Sequence, residues 1–147
     1  MHGRGGGIPR LLVDWAREHG HGRFIAGATD PSWAVVHVDD LADLLVLALG
    51  QAAGGTILHA VTEASVPAAA ISRAADVAAG GAGHAVPWHL DEATAALGPA
   101  FADALALNQR VSSALARSLG WRPTRPTILD DLRDGSYPAR QPVARSA

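Results

Sequence analysis

The stretch Asp39 to Ala53 constrains this chain more than any other. Leu41, Ala42, Leu44, Leu45, Val46, Leu47, Ala48 and Leu49 form its body, and only Asp43 interrupts them. Leucine and alanine favour helix, Asp39 or Asp40 suits the N-cap at the positive end of the dipole, and Gly54-Gly55 breaks the run. A helix apolar nearly all round needs neighbours on more than one side. With 147 residues, one domain's worth, that is a large demand. Its longest apolar run, Leu44 to Leu49, is far too short to cross a bilayer.

Around this helix the pattern alternates short strands and helices. A helix is expected from about Pro9 to His19, with Leu11, Leu12, Trp15 and Ala16 on one face and Gly20 ending it. The segment from Arg23 reads as a short strand, turned by Thr29-Asp30-Pro31, and Trp33–Val38 as a β-branched and aromatic strand. Thr56–Val61 is expected as another strand. Ser65 is expected to cap a helix that carries Pro67 in its first turn and runs to Gly80. His84–Trp88 is a short strand at best. Short helices follow at Asp91–Leu97 and Pro99–Leu107, then one opened by Ser112 and closed by Gly120, and a last one capped by Thr127. Residues 138–147 read as a flexible polar tail.

Composition removes whole classes of chemistry. All 12 basic residues are arginine, so no Schiff base, phosphate-loop lysine or Tyr–Lys pair can be built from this chain. There is no cysteine, hence no disulfide, thiolate metal site or cysteine nucleophile. A net charge of −2 gives no reason to expect a nucleic acid or an anionic membrane as partner. Hydrophobic residues make up 48% of the chain, enough for a core, and the N-terminus has no apolar signal region, so the default compartment is cytoplasmic.

No constellation of residues carries an active site by itself. Gly3, Gly5, Gly6 and Gly7 precede a helix, but Ile8 stands where a dinucleotide fingerprint needs its third glycine, and no strand precedes them. His19-x-His21 and the pair His84 and His89 lack carboxylates at ligand spacing, so no metal is expected. No G-x-S-x-G is present, and Ser65, Ser112 and Ser136 are expected in caps and turns. Arg117, Arg122 and Arg125 form a small basic cluster that a solvated helix end explains. Tyr137, the sole tyrosine, has no lysine to lower its pKa and is not expected to act as a general acid.

The order of segments nevertheless resembles a known family. Trp33–Leu49, WAVVHVDDLADLLVLAL, is similar to the strand and apolar helix of extended short-chain dehydrogenase/reductases, the NAD(P)-dependent epimerase/dehydratase family. HGRGGGIPRLL resembles the loop that family commonly writes Y-G-x-G, with His2 where tyrosine is usual. TILHAV and SVPAAAISRAADVA resemble a later sheet strand and its helix, and NQRVSSALARSLGWRPTRPTILDDL the closing signature. The glycine-rich dinucleotide loop and the catalytic Y-x-x-x-K of the family are absent from this sequence.

The resemblance implies an α/β fold: an incomplete Rossmann-type domain, mostly helical with a few short strands, lacking the N-terminal dinucleotide-binding half. Residues 1–137 would form the substrate-binding part. The substrate pocket would be shaped by Gly3, Arg4 and Gly5 of the loop and by Trp33, Val36 and His37 of the strand. No catalytic residue is implied in this chain. The parent reaction would be hydride transfer at a hydroxyl or carbonyl carbon, with NAD or NADP as cofactor, neither expected to bind this chain alone. Implied partners are a small-molecule substrate in an intact enzyme and a dinucleotide-binding half or a second copy of the chain. The alternative is a non-catalytic binding or interaction module that docks on a separate dinucleotide-binding partner. Helix 40–53 would be covered by the dinucleotide domain and exposed without it, and Met1 would not be the natural start of the working protein.

Overall fold

The computed structural model describes residues 1–26 and 30–138 and is a mixed α/β protein. The chain enters α1 (Gly7–His19), whose stripe of Leu12, Val13 and Ala16 is buried and whose end is set by left-handed Gly20. Strand β1 (Gly22–Ala26) follows. Thr29 of the expected turn lies outside the described residues. Strand β2 (Ser32–Val35) then leads into α2 (Val38–Gln51). After an extended segment come β3 (Glu63–Pro67), α3 (Ala68–Ala78), β4 (Ala85–His89), α4 (Leu90–Leu97), α5 (Pro99–Ala106), α6 (Ala114–Ser118) and α7 (Ile128–Asp134). Of the expected tail 138–147, all but Pro138 lies outside the described residues.

The strands pair in two small sheets. β1 and β4 are parallel, from Gly22 opposite Ala85 to Ala26 opposite His89, so a full ladder partner stands one residue on from the expected His84–Trp88. β2 and β3 are antiparallel, with Trp33 opposite Val66 and an irregularity before Val35 meets Glu63. α3 packs so tightly on β1 that a Cβ on Gly22 would overlap the Ser72 carbonyl. Ser72 Oγ there donates to the Arg23 carbonyl at 2.7 Å. Asp76 at the end of α3 accepts from the Gly83 and His84 amides at 2.8 and 2.9 Å, which holds the glycine-rich 80–83 turn at the entrance of β4.

Three apolar clusters hold these pieces. The largest joins α1, β2, β3, α3 and α7 around Ile71 and Leu132; burying a side chain such as Ile71 is worth about 2–3 kcal/mol. A second packs Ile25 of β1 against Ala93, Ala102 and Leu105. The third sets Val36 and Leu44 against Ala116 and Trp121.

Four expectations are corrected. Thr56–Val61 pairs with no strand among the described residues, because the free edge of β2 is taken by Glu63–Pro67. Ser65 accordingly lies within β3, and α3 starts only at Ala68 with Pro67 as its N-cap. The strand expected over Trp33–Val38 ends at Val35. The N-cap of α2 is His37, not Asp39 or Asp40. Asp40 is instead buried, and its Oδ1 accepts from the Thr124 amide at 2.9 Å. Its carbonyl accepts from the Trp121 indole N–H at 2.9 Å, so Asp40 ties α2 to the extended 121–125 turn.

α2 leaves much of its apolar surface open. Only Asp40 and Leu44 are buried along it, while Leu45, Val46 and Leu49 stand 58, 72 and 91% exposed. No helix among the described residues is long and apolar enough to cross a membrane.

Candidate functional site

The glycine loop lies across the entrance of α2. His2 runs parallel to the chain at His37: its N–H donates to the Val36 carbonyl at 3.0 Å, and its carbonyl accepts from Val38 N–H at 2.8 Å. The chain then turns sharply into α1. Gly3 takes φ +108°, and a Cβ there would lie 2.5 Å from His37 Nε2, so only glycine lets the backbone close over that ring. Arg4 is the one non-glycine residue with positive φ among the described residues. Its guanidinium meets Asp39 at 2.7 Å on the surface, where such a pair is worth about 0–1 kcal/mol.

Beneath the loop sits a buried polar cluster. His2 is 1% exposed, and its Nδ1 lies 3.1 Å from Asp131 Oδ2 on α7. Asp131 Oδ1 accepts from the Ser136 amide at 2.9 Å and its hydroxyl at 3.0 Å. Burial alone would raise the Asp131 pKa, but these hydrogen bonds together hold it below the ordinary carboxylate value. A carboxylate only accepts, so His2 Nδ1 carries the proton and Nε2 holds a lone pair. Burial pushes the His2 pKa down despite Asp131. His2 stands edge-on to His37, with ring centroids 5.1 Å apart and planes at 88°. His2 Nε2 has no hydrogen-bond partner among the described residues.

His37 caps α2 by accepting the Asp39 amide on Nδ1 at 3.1 Å. That role places its own proton on Nε2. His2, His37 and Asp131 bring donor atoms within 4.8 Å of one another, a spacing that invites a metal. The hydrogen bonds answer against it. His37 Nδ1 is occupied by the cap, its Nε2 lies under Gly3, and His2 Nδ1 is committed to Asp131. His2 Nε2 is the one ring nitrogen of the pair free to take an ion without breaking one of these bonds; recruiting His37 would break the cap, so the three do not form a ready ligand set. The cluster is a latch between the first residues of the chain and α7.

The segment after α7 completes that latch. Tyr137 is buried; its hydroxyl accepts from Gly3 N–H at 2.8 Å and donates to the Gly6 carbonyl at 2.7 Å. Burial drives its pKa up to about 12, so it is a neutral staple. Ser136 Oγ accepts from Gly5 N–H at 2.8 Å. Sequence reasoning had no signal for these pairings, because the partners are more than 120 positions apart and no local pattern joins them.

The residues expected to shape a pocket are therefore divided. Gly3 and Arg4 line a shallow groove of about 200 Å³ with His2 and Val38. Gly5 is pinned to Ser136, and His37 is 7% exposed under Gly3. Val36 faces the opposite way, into the cluster with Leu44 and Trp121. Trp33 lines a separate cleft of about 140 Å³ with Ile8, Val35, Leu105 and Ile128; Met1 borders both spaces. The Trp33 indole N–H donates to the Leu105 carbonyl at 3.0 Å, which fixes α5 beside β2. The arginine cluster does structural work: Arg117 lies over Trp121, Arg122 donates to the Arg117 carbonyl, and the Arg125 amide bonds Asp40.

Comparison with known proteins adds one relative. The chain is 31% identical over 143 residues to the uncharacterized protein C2A9.02 of Schizosaccharomyces pombe (strain 972). The match covers 93% of this chain and 46% of that protein, so the chain spans about half the length of its relative. No family model matches, and no solved structure matches significantly.

Proposed function

We propose that this chain is the substrate-binding part of an NAD(P)-dependent oxidoreductase or epimerase/dehydratase of the extended short-chain dehydrogenase/reductase type. In this reading a dinucleotide-binding half packs on α2 and on residues 56–61, and the working protein transfers hydride at a hydroxyl or carbonyl carbon. The carrying observation is an uncovered α/β edge. Leu45, Val46 and Leu49 of α2 are exposed, and the β-rich segment 56–61, with Ile57 77% exposed, pairs with no strand among the described residues. Helices and strands of an α/β protein are expected to be covered and paired. A sheet supplying one further strand and one further layer would satisfy both at once. The order of segments described above and the half-length match to the yeast protein support the same reading.

The test is a fluorescence titration of NADH and NADPH. The purified 147-residue chain is expected to bind neither, and the full-length S. pombe protein to bind one of them. Tight binding by the chain alone, or no binding of either dinucleotide by the full-length relative, overturns the proposal.

A further inference from the structure

The cleft beside Trp33 is specific about the chemistry it can hold. Its walls are the side chains of Ile8, Val35, Leu105 and Ile128 and the indole of Trp33. The indole N–H is already given to the Leu105 carbonyl, so the ring offers the cleft an apolar surface. Among the described residues no charged side chain lines the space, and Gln109 supplies the one polar side chain not tied up in this way. The Gln109 amide N–H donates to the Ser32 carbonyl at 2.6 Å, which holds this residue at the start of β2. The arginines of this region, Arg110 and Arg117, line a different groove.

We propose that this cleft binds an uncharged, apolar ketone or secondary alcohol about the size of one six-membered ring. As an assignment of substrate class this rests on the function proposed above. The size follows from the volume: about 140 Å³ matches an apolar cavity of about 150 Å³, which holds a benzene ring. The polarity follows from the walls. A phosphate or carboxylate placed there would lose its hydration with no charged side chain among the described residues to replace it; the terminal ammonium at Met1 borders the cleft, and its own burial disfavours the charged form. A carbonyl or hydroxyl would keep one hydrogen bond, because an amide both donates and accepts. A mostly apolar wall with one oriented polar group is the usual build of a small-molecule site.

The experiment is an NMR titration of the isotope-labelled chain with cyclohexanone and, separately, with glucose 6-phosphate. Cyclohexanone is expected to give saturable shifts at the Trp33 indole N–H and at the Leu105 and Gln109 amides, with the weak affinity normal for a ligand of this size. Ala104 lines the cleft from an exposed position, so Ala104→Leu fills the space without disturbing the core. That variant is expected to weaken cyclohexanone by about tenfold or more, with the rest of the spectrum unchanged. Gln109→Ala is expected to weaken it by about threefold. Absence of saturable shifts, an Ala104→Leu variant that binds as the parent does, or glucose 6-phosphate shifting these same resonances overturns the proposal. Because no dinucleotide is present in this titration, its failure leaves the NADH and NADPH result standing, and failure of that result leaves ring binding to be read on its own.

Discussion

The glycine loop and the outer face of α2 lie at the two sides of His37 and are built in opposite ways. On the loop side, His2, Asp131 and Tyr137 are 1–3% exposed, and nearly every polar atom has a partner. On the α2 side, only Asp40 and Leu44 of fourteen residues are buried, Leu41 and Leu47 are partly so, and Leu49 is 91% exposed. The difference follows from what each group tolerates. A buried donor or acceptor without a partner loses about 1–3 kcal/mol, so the polar latch must find its partners inside this chain. An apolar side chain is tolerated in water, so α2 keeps its helix through leucine and alanine propensity and through the Asp40 and Trp121 anchor. Among the described residues polar burial is finished within the chain at every latch group but His2 Nε2, whereas apolar burial on α2 is left open.

This contrast can be broken most sharply at Gly3. Gly3→Ala places a Cβ against His37 in a left-handed backbone, and a loss of about 4 kcal/mol is expected from urea unfolding midpoints. A loss under about 1 kcal/mol would mean that the loop is not closed over His37 in solution. Tyr137→Phe is the next step. It keeps the ring and strands Gly3 N–H and Gly6 C=O, so about 2 kcal/mol should be lost, with the native spectrum retained.

Acid should open the latch gradually. The His2 pKa is depressed in the folded state, so the unfolded chain binds more protons once pH falls below the ordinary histidine value of about 6.5, and stability declines from there. The Asp131 pKa is also depressed, so its contribution is present above the ordinary carboxylate value and is lost as pH falls through its folded value. The two legs have the same sign. His2→Asn, which offers an amide donor in place of Nδ1–H, should remove the upper leg and leave the lower one in a series of unfolding curves against pH. Persistence of the upper leg in that variant would assign it to another group.

The smallest expected effect lies on α2. Val46→Gln and Leu49→Gln should change stability by no more than about 0.5 kcal/mol, because neither side chain is buried. They should, however, reduce the binding of an apolar-surface dye and any self-association seen by sedimentation. A large loss of stability in either variant would show this face to be covered within the chain.

Much of the secondary structure was legible in the sequence. α1, α2, α4, α5 and α7 follow from apolar period, turn residues and caps, and the Thr127 cap is formed as expected, its hydroxyl accepting from the Asp130 amide. Strands were harder. Thr56–Val61 has better β composition than Glu63–Pro67, yet only the latter pairs with β2, because a strand is defined by its partner and not by its own residues. The candidate site was legible in pieces. Gly3, Arg4, Trp33 and His37 all stand at the loop, the groove or the cleft, while Val36, one residue past the end of β2, turns into the cluster with Leu44 and Trp121. Asp40 looked like a cap because caps are local. Its true partners, the Thr124 and Arg125 amides, are more than eighty positions away.

By itself the sequence determined the helices, the lack of any lysine- or cysteine-based chemistry, and the excess of apolar surface on α2, since each depends on residue type and short-range spacing. Only the tertiary structure decided that His37 caps α2, that His2 is latched to Asp131, that Tyr137 closes the glycine loop, and that the cleft at Trp33 is walled mostly by apolar side chains. Those features depend on which distant backbone groups and side chains meet in space, and a hydrogen bond a few ångströms long between residues 2 and 131 leaves no trace in the spacing of either.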